Sequence, residues 1–221
     1  MFSVSLVDVI GWSATCVGAL LALPQLLRLL RTGHLEGVSL FAWRAVLVLN
    51  IIWMVHGIRI GQPPQIVTNV IALCITLPIL VVLSRSLGRS LPMVLAPSLA
   101  AAAVVVGIDY FLGSLAFGIA AIIPGMFSNA GQSVELVRSP EVQGVAPLFL
   151  IMAVLNQVLW LTWALMVRDP GTIFAAVMTL TITGFNLTWY TLRRFGLRAL
   201  FARASEPAVP QDRETPALAP C

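Results

Sequence analysis

Uncharged stretches of about twenty residues dominate this sequence and limit what it can fold into. Residues 90–107 and 145–167 contain no Asp, Glu, Lys or Arg, and stretches of this length let an α-helix cross about 30 Å of hydrocarbon. Of the 221 residues, 59% are hydrophobic and 10% are charged, against roughly 25% charged in an ordinary soluble domain. A soluble fold could not bury so much apolar surface, so the sequence predicts an all-α, polytopic membrane protein.

Helix-breaking residues divide the chain into seven predicted transmembrane helices. Gly, Pro, Ser and Asp cluster between the apolar stretches, where they usually mark turns. The predicted helices cover residues 6–27, 38–58, 64–84, 91–112, 114–135, 145–167 and 171–192. Hydrophobic periodicity is lost near the C-terminus, and residues 196–221 are predicted to form a disordered cytoplasmic tail.

The arginines predict the orientation of these helices. All 13 basic residues are Arg, and basic residues concentrate in cytoplasmic loops. Arg59 and Arg168 fall on one side of the predicted bundle, and eleven arginines fall on the other. The eleven are Arg28, Arg31, Arg44, Arg85, Arg89, Arg138, Arg193, Arg194, Arg198, Arg203 and Arg213. With seven helices, this distribution predicts an N-terminus outside and a C-terminus in the cytoplasm.

Several other classes of function find little support in the sequence. The arginines form no basic face with interleaved aromatic residues, so nucleic acid is not an expected partner. Cys16, Cys74 and Cys221 lack the spacing of a disulfide framework or a zinc site, and no metal or other cofactor is expected. The sequence contains neither an HExxH motif nor a Ser/His/Asp set placed as a catalytic triad, so an enzyme is not expected. The use of Arg without Lys favours a GC-rich bacterial genome, and hence the bacterial inner (plasma) membrane.

The sequence repeats itself with a shift of 107 residues. Residue types that are uncommon in membrane helices align at this shift without a gap: Gly18 with Gly125, Gln25 with Gln132, Arg31 with Arg138, Trp53 with Trp160 and Pro63 with Pro170. Such an internal repeat indicates duplication of a three-helix unit. The shift moves a residue by four helices and so preserves its direction across the membrane, which makes the repeats in residues 1–86 and 114–195 parallel. Because each repeat has three helices, an odd number, a linker helix is required between them, within residues 87–113.

The first repeat resembles a known motif. The segments Leu23-Pro24-Gln25 and Gly37-Val38-Ser39, followed by Trp53, Gly57 and Asn69, occur in the order of the PQ-loop motif. The 3+1+3 arrangement resembles the SWEET sugar transporters, two-repeat relatives of the bacterial SemiSWEETs. Transporters with such parallel repeats bind their solutes near the membrane midplane, where the repeats meet. The resemblance implies a facilitative uniporter that moves a sugar or a similar uncharged solute by alternating access.

The resemblance also implies which residues bind the solute. An unpaired amide is costly in an apolar helix, so Asn69 either bonds a neighbouring helix or lines a wet cavity. Trp53 and Trp160 either belong to an interfacial aromatic belt or stack on a sugar ring. The predicted substrate-binding residues are Trp53, Asn69, Trp160, Ala176 and Thr179.

The second repeat departs from the pattern at two positions. Gly131 stands where Pro24 stands in the first repeat, and Ala176 stands where the resemblance implies a second Asn. Polar residues further along the last predicted helix are expected to compensate in part for the missing amide; they are Thr179, Thr183 and Asn186.

Two further groups of residues are predicted to move or to close. Proline weakens a helix by removing an N–H and crowding the preceding turn, so a set of hinges is predicted, with static kinks as the alternative. The predicted hinge residues are Pro24, Gln25, Pro124, Gln132 and Pro147. The predicted outer gate comprises His56, Arg59 and Trp163. For Arg59, the alternative is that it is only a solvated surface residue. Arg44 is expected to extend to the cytoplasmic surface.

Alternative functions of the same fold stay open. No Asp or Glu falls in the middle of a predicted span, and proton-coupled transporters usually need an intramembrane carboxylate or histidine. Downhill transport is therefore favoured, with His56 as the one candidate exception. The alternatives are a proton-coupled PQ-loop transporter, one for an amino acid-like solute, as in cystinosin-like exporters, or a receptor such as the KDEL receptor. The expected partners are a small-molecule solute and the lipid bilayer, and a homo-oligomer is compatible with the sequence.

Overall fold

The computed structural model describes residues 5–32, 39–139 and 146–200, with residues 22–26, 28–32, 127–130 and 135 described by their backbone alone. The described residues form seven α-helices and no β-strand. The helices are α1 (Leu6–Thr32), α2 (Leu40–Arg59), α3 (Pro63–Ser86), α4 (Leu91–Leu112), α5 (Ser114–Arg138), α6 (Pro147–Val167) and α7 (Pro170–Arg194).

Most of these helices are built to cross a bilayer. Five of them, α2, α3, α4, α6 and α7, are long and apolar enough to do so. The two parts of α5, Ser114–Met126 and Gly131–Arg138, are inclined at 52° and make a sixth span if they are taken together. The apolar part of α1, Leu6–Leu21, is shorter. The number of spans and the orientation of the termini stay predictions.

The helix ends follow from local capping, and two helices extend three or more residues past their predicted ends. The side chain of Ser39 accepts a hydrogen bond from Ala42 N at the start of α2, and Asp169 caps α7 in the same way. Helix α1 was predicted to end at residue 27 but continues to Thr32, because residues 28–32 include neither Gly nor Pro. Helix α5 likewise extends three residues past the predicted residue 135, to Arg138. The predicted starts at residues 38 and 145, and most of the predicted tail, lie outside the described residues.

The helix contacts are related by a pseudo-twofold exchange. In the first unit, defined as α1–α3, helix α3 packs against both α1 and α2; in the second unit, α5–α7, helix α7 packs against both α5 and α6. Between the units, α1 contacts α6 and α2 contacts α5, and exchanging the two units converts one contact into the other. This is the relation that the 107-residue shift predicts. The boundaries of the repeats as domains stay predictions.

Helix α4 lies outside this exchange, against α2, α3 and α5. Its sequence predicts a linker that faces lipid at the edge of the bundle, and residues such as Val104 and Met93 are indeed exposed. However, Ser98 and Asp109 are buried and both contact α2. The linker is therefore attached to the first unit by polar groups near both of its ends.

Arg44 makes one of these attachments with a half-buried side chain, and its predicted extension to the cytoplasmic surface stays a prediction. The guanidinium of Arg44 donates hydrogen bonds to the carbonyl oxygens of Met93 (2.9 Å) and Val94 (2.8 Å) in the first turn of α4. Because Pro97 has no N–H, the carbonyl of Met93 lacks its usual partner four residues later, and Arg44 supplies one. The hydroxyl of Ser98 donates in return to the carbonyl oxygen of Arg44 at 3.2 Å.

Replacing Arg44 with Leu is expected to destabilise the protein by about 1–3 kcal/mol, because the Met93 carbonyl is left without a donor. Thermal unfolding in detergent, followed by circular dichroism, measures the effect. Arg85→Leu is the matched control, since Arg85 is exposed near the end of α3. Equal melting temperatures for the two variants would contradict a structural role for Arg44.

Candidate solute cavity

A cavity of about 320 Å³ lies between the two three-helix units. Its polar lining residues are Asn50, Gln65, Thr68, Asn69, Asn156, Gln157, Thr172 and Thr179. The remaining lining residues are apolar or aromatic, and none of the described lining residues is Asp, Glu, His or Arg. The cavity therefore offers amides, hydroxyls and indole rings to a ligand, without a formal charge.

The cavity wall is built from equivalent positions of the two units. Six pairs of lining residues are related by the 107-residue shift: Leu49 and Asn156, Asn50 and Gln157, Trp53 and Trp160, Gln65 and Thr172, Thr68 and Ala175, and Asn69 and Ala176. Helices α2 and α6 contribute three of these pairs, and α3 and α7 contribute the other three. The two units thus enclose the same space from opposite sides.

All five predicted substrate-binding residues, Trp53, Asn69, Trp160, Ala176 and Thr179, line this cavity. The structure brings them together, and their role in binding stays a prediction. Thr183 and Asn186, which were expected to compensate for the missing second Asn, do not line it. Asn186 is buried elsewhere, and its Oδ1 accepts a hydrogen bond of 2.8 Å from Ser133 Oγ on α5.

Amides that the sequence prediction missed are close to Asn69. The Nδ2 of Asn69 donates to the carbonyl oxygen of Gln65 (2.8 Å) on its own helix, not to a neighbouring helix. Gln65 is 3% exposed, and neither its Nε2 nor its Oε1 has a hydrogen-bond partner in the described structure. The Oδ1 of Asn156 is also buried without a partner. Buried amides without partners are costly, so these groups are positioned to gain hydrogen bonds from a polar ligand.

The two cavity tryptophans have matching surroundings. Trp53 meets the ring of His56 edge-on, with centroids 5.8 Å apart and an interplanar angle of 86°. Trp160 meets Trp163 in the same way, at 5.3 Å and 86°. His56 and Trp163 are equivalent by the 107-residue shift, and both are 0% exposed. Each indole is therefore backed, at the predicted outer end, by a buried ring.

His56 is the centre of an ionic cluster, which we define as His56, Arg59, Asp109 and Asp169; all but Arg59, which is 32% exposed, are buried. Its Nδ1 lies 2.8 Å from Asp109 Oδ2 and its Nε2 lies 3.0 Å from Asp169 Oδ2. Arg59 pairs with Asp109 through Nη1 and Oδ1. Asp109 is 2% exposed and Asp169 is 7% exposed. The cluster joins α2, α4 and the connection between α6 and α7.

Asp169, which precedes the first residue of α7, is held by several donors besides His56. Ser114 Oγ donates to its Oδ1, while the backbone N (2.8 Å) and Oγ1 (2.6 Å) of Thr172 donate to its Oδ2. Burial alone would raise the pKa of Asp169, but the hydrogen bonds from His56, Ser114 and Thr172 outweigh it and hold the pKa below its usual value. Asp169 is therefore a carboxylate, and through Thr172 it also touches the cavity wall.

Comparison with known proteins bears on this architecture. Neither a protein-family model nor a curated protein matches the sequence. Among solved structures, a eukaryotic SWEET transporter, determined at 3.7 Å resolution, matches with a TM-score of 0.66 and covers 86% of this chain and 100% of its own. The chain has a SWEET-like fold. The sequence identity is 18%, so the likeness concerns the fold and not the function of the cavity.

Two of the three predicted gate residues lie together in the first unit, and the third lies at the equivalent place in the second unit. His56 and Arg59 belong to the ionic cluster, where Arg59 was predicted either to gate or to be solvated. Trp163 lies at the equivalent place on α6, buried close to Gly11 of α1. The predicted gate is therefore charged in one unit and apolar in the other.

The predicted hinge residues occupy different parts of the SWEET-like fold. Pro124 is inside α5, where it deprives the preceding turn of a hydrogen bond. Gln132 is partly buried further along α5, and the side chains of Pro24 and Gln25 lie outside the described residues. Pro147 is the first residue of α6, a position where proline costs no helical hydrogen bond, so the expectation that it weakens a helix is wrong. Whether any of these residues acts as a hinge stays a prediction.

Proposed function

We propose that this protein transports a small uncharged polar solute, with sugars as the leading class, by alternating access as a facilitative uniporter. The observation that supports it is the neutral cavity between two equivalent units, lined by paired tryptophans and by amides. A site on the pseudo-twofold boundary can open to either side when the units rock against each other. The 320 Å³ cavity is near the lower end of the roughly 300–1,000 Å³ range of small-molecule sites, which suits a small solute.

Sugars fit the chemistry of this wall. The C–H face of a sugar ring can pack on the indoles of Trp53 or Trp160, while its hydroxyls hydrogen-bond to the amides of Asn69, Gln65 and Asn156. Because burying an unpaired charge is very costly, a wall without charged groups disfavours ionic solutes. The neutral lining thus supports a sugar over an amino acid-like solute or the charged end of a peptide.

The gate and the hinges complete the proposal. His56 and Arg59, bonded to Asp109 and Asp169, and Trp163 on the other unit close the predicted outer end of the cavity. Opening requires the contact between His56 of the first unit and Asp169 of the second unit to break. Pro124 and the other predicted hinge residues let the helices bend while the units rock. We place the protein in the bacterial inner membrane, with the bilayer and the solute as its partners.

Uptake into proteoliposomes tests the proposal. The purified full chain is reconstituted and supplied with a panel of labelled mono- and disaccharides, together with charged amino acids. We expect saturable uptake of at least one sugar and about a fivefold loss in Asn69→Ala, because one hydrogen bond of about 1 kcal/mol is removed. Thr181→Ala is the matched control, since Thr181 is exposed on α7 and does not line the cavity.

The outcomes separate the candidate functions. Uptake of charged solutes only would contradict the neutral-solute proposal, and sugar binding without uptake would indicate a receptor. Proton-coupled transport is the second candidate, because a buried histidine between two carboxylates is a group that can carry a proton. An imposed pH gradient that drives accumulation above equilibrium would favour it over uniport.

A further inference from the structure

The contacts of His56 require one more proton than a neutral ring can supply. Both ring nitrogens are within hydrogen-bond distance of a carboxylate oxygen, at 2.8 Å for Asp109 and 3.0 Å for Asp169. An ionised carboxylate only accepts hydrogen bonds, and a neutral imidazole has a single N–H. With a neutral ring, one of the two contacts would place two acceptors against each other. The geometry therefore holds one exchangeable proton beyond those of a neutral imidazole and two carboxylates.

We propose that the ionic cluster is a proton-binding site, and that its bound proton locks α2 of the first unit to the α6–α7 connection of the second unit. The lock rests on the proposed function in one respect, namely that separation of the units at this end is a step of transport. The binding of the proton is a separate property that can be measured without any solute.

Charge balance supports a protonated ring. With an imidazolium, the two cations His56 and Arg59 balance the two anions Asp109 and Asp169; with a neutral ring, this buried site carries a net negative charge. Uncompensated buried charge is strongly unfavourable. Arg59 donates to Asp109, and Ser114 and Thr172 donate to Asp169, so each carboxylate already has donors and the additional proton is assigned to the ring.

The groups packed around His56 add no other candidate for the proton in the described structure. On α2 the charged neighbour is Arg59, and α4 contributes Asp109 and Tyr110, whose ring lies 6.0 Å from the Arg59 guanidinium. The α6–α7 connection contributes Asp169 and the exposed Arg168. Helix α5 contributes two groups that do not titrate, namely Phe117, stacked on the imidazole at 4.3 Å, and Ser114.

Loss of the proton is expected to break the contact with Asp169 and not the contact with Asp109. Asp169 keeps three hydrogen bonds from Ser114 and Thr172 when His56 leaves, so its carboxylate stays satisfied. The Oδ2 of Asp109 lies 2.8 Å from His56 Nδ1, and the single N–H of a neutral ring can stay with it. The equivalent position in the second unit is Trp163, which does not titrate, so the device exists on one side of the bundle only.

Nitrogen NMR of the full-length protein in lipid tests the proton directly. The chain has two histidines, and His34→Gln leaves the ¹⁵N-labelled ring of His56 as the single histidine signal. At about pH 7 we expect both ring nitrogens to be protonated, whereas an isolated histidine is mostly neutral there. A neutral ring with one tautomer between about pH 5 and 7 would overturn the proposal.

Two carboxylate variants show whether the cluster holds the proton. In Asp169→Asn the doubly protonated signal at about pH 7 is expected to be lost, because the amide can donate to a neutral ring and one anion is removed. Asp8→Asn, at the exposed start of α1, is the matched control and should leave the signal unchanged. If Asp169→Asn yields no folded protein, Asp109→Asn applies the same test. A doubly protonated ring in both variants would contradict the site.

Distance measurements test the lock. Nitroxide labels are placed at Ile58 on α2 and at Arg168 at the end of α6, both exposed, in a background in which Cys16, Cys74 and Cys221 are replaced by Ala. The distance between the labels is expected to lengthen over the pH range in which His56 loses its proton, and to be independent of pH in His56→Gln. A constant distance while the ring deprotonates would overturn the lock. Absence of uptake with intact NMR and distance responses would instead contradict the proposed function.

Discussion

Replacing Trp53 and Trp160 together with Ala is expected to reduce saturable sugar uptake by about a hundredfold. Each indole offers a flat apolar surface in the cavity wall, and losing one aromatic stacking contact of about 1.4 kcal/mol corresponds to about tenfold in affinity. The two indoles belong to different helices, α2 and α6, and to opposite units, so we expect the solute to lose a separate contact with each. Initial uptake rates into proteoliposomes, measured over a range of sugar concentrations, give the result.

The controls for this prediction separate stacking from folding. Trp12→Ala removes an indole that is 41% exposed on α1 and does not line the cavity, and it should leave uptake unchanged. Trp53 also packs edge-on against Phe117 at 4.8 Å, so its removal can perturb the fold. The pair Trp53→Phe and Trp160→Phe retains the aromatic surface and should recover most of the activity. Uptake in the folded double Ala variant that equals that of the parent would refute the stacking role.

Gly171→Val is expected to prevent accumulation of folded protein. A Cβ at Gly171 would lie 2.1 Å from the carbonyl oxygen of Ser114, and one at Gly118 would lie 2.3 Å from the carbonyl oxygen of Gly171. Helices α5 and α7 thus meet backbone to backbone, as small residues allow in membrane bundles. Backbone atoms cannot retreat as a flexible side chain can, so the helices must separate, at a cost of several kcal/mol or more.

The yield of monodisperse protein after detergent extraction and its melting temperature measure this effect. Gly184→Val is the matched control, because Gly184 is on the same helix and a Cβ there would meet nothing within 4 Å. Replacing Gly with Val does not lower the helix propensity, so a loss of stability at Gly171 alone reports the close contact. Similar yields and melting temperatures for the two variants would show that α5 and α7 do not cross at Gly171.

The helices and the pairs of cavity residues could be predicted from the sequence. Apolar length predicts α4 over residues 91–112, the bounds that the structure has. The 107-residue shift pairs Trp53 with Trp160 and places both in one cavity. The same shift pairs Asn50 with Gln157, two amides in apolar stretches, and this pairing is the sequence signal that indicates the additional amides of the wall. Periodicity and repetition are properties of a sequence, and what depends on them could be predicted.

The polar contacts between helices could not be predicted in this way. His56 meets carboxylates that are 53 and 113 residues away, and no local pattern relates these positions. Asp109 and Asp169 lie near helix ends, where the sequence alone does not predict burial, and they are buried because neighbouring helices pack over them. The bond between Arg44 and Met93 depends in turn on the carbonyl that Pro97 leaves free. Such contacts follow from the packing of the helices and not from their individual sequences.

The two attachments of α4 have a mechanical consequence. Bonds to Arg44 near its start and to His56 and Arg59 near its end make this helix a strut fixed along α2. The backbone passes from α4 into α5 through Gly113, which has a φ of 87° that favours glycine. In the proposed rocking of the two units, Gly113 is therefore the residue at which the backbone between this strut and the second unit can turn.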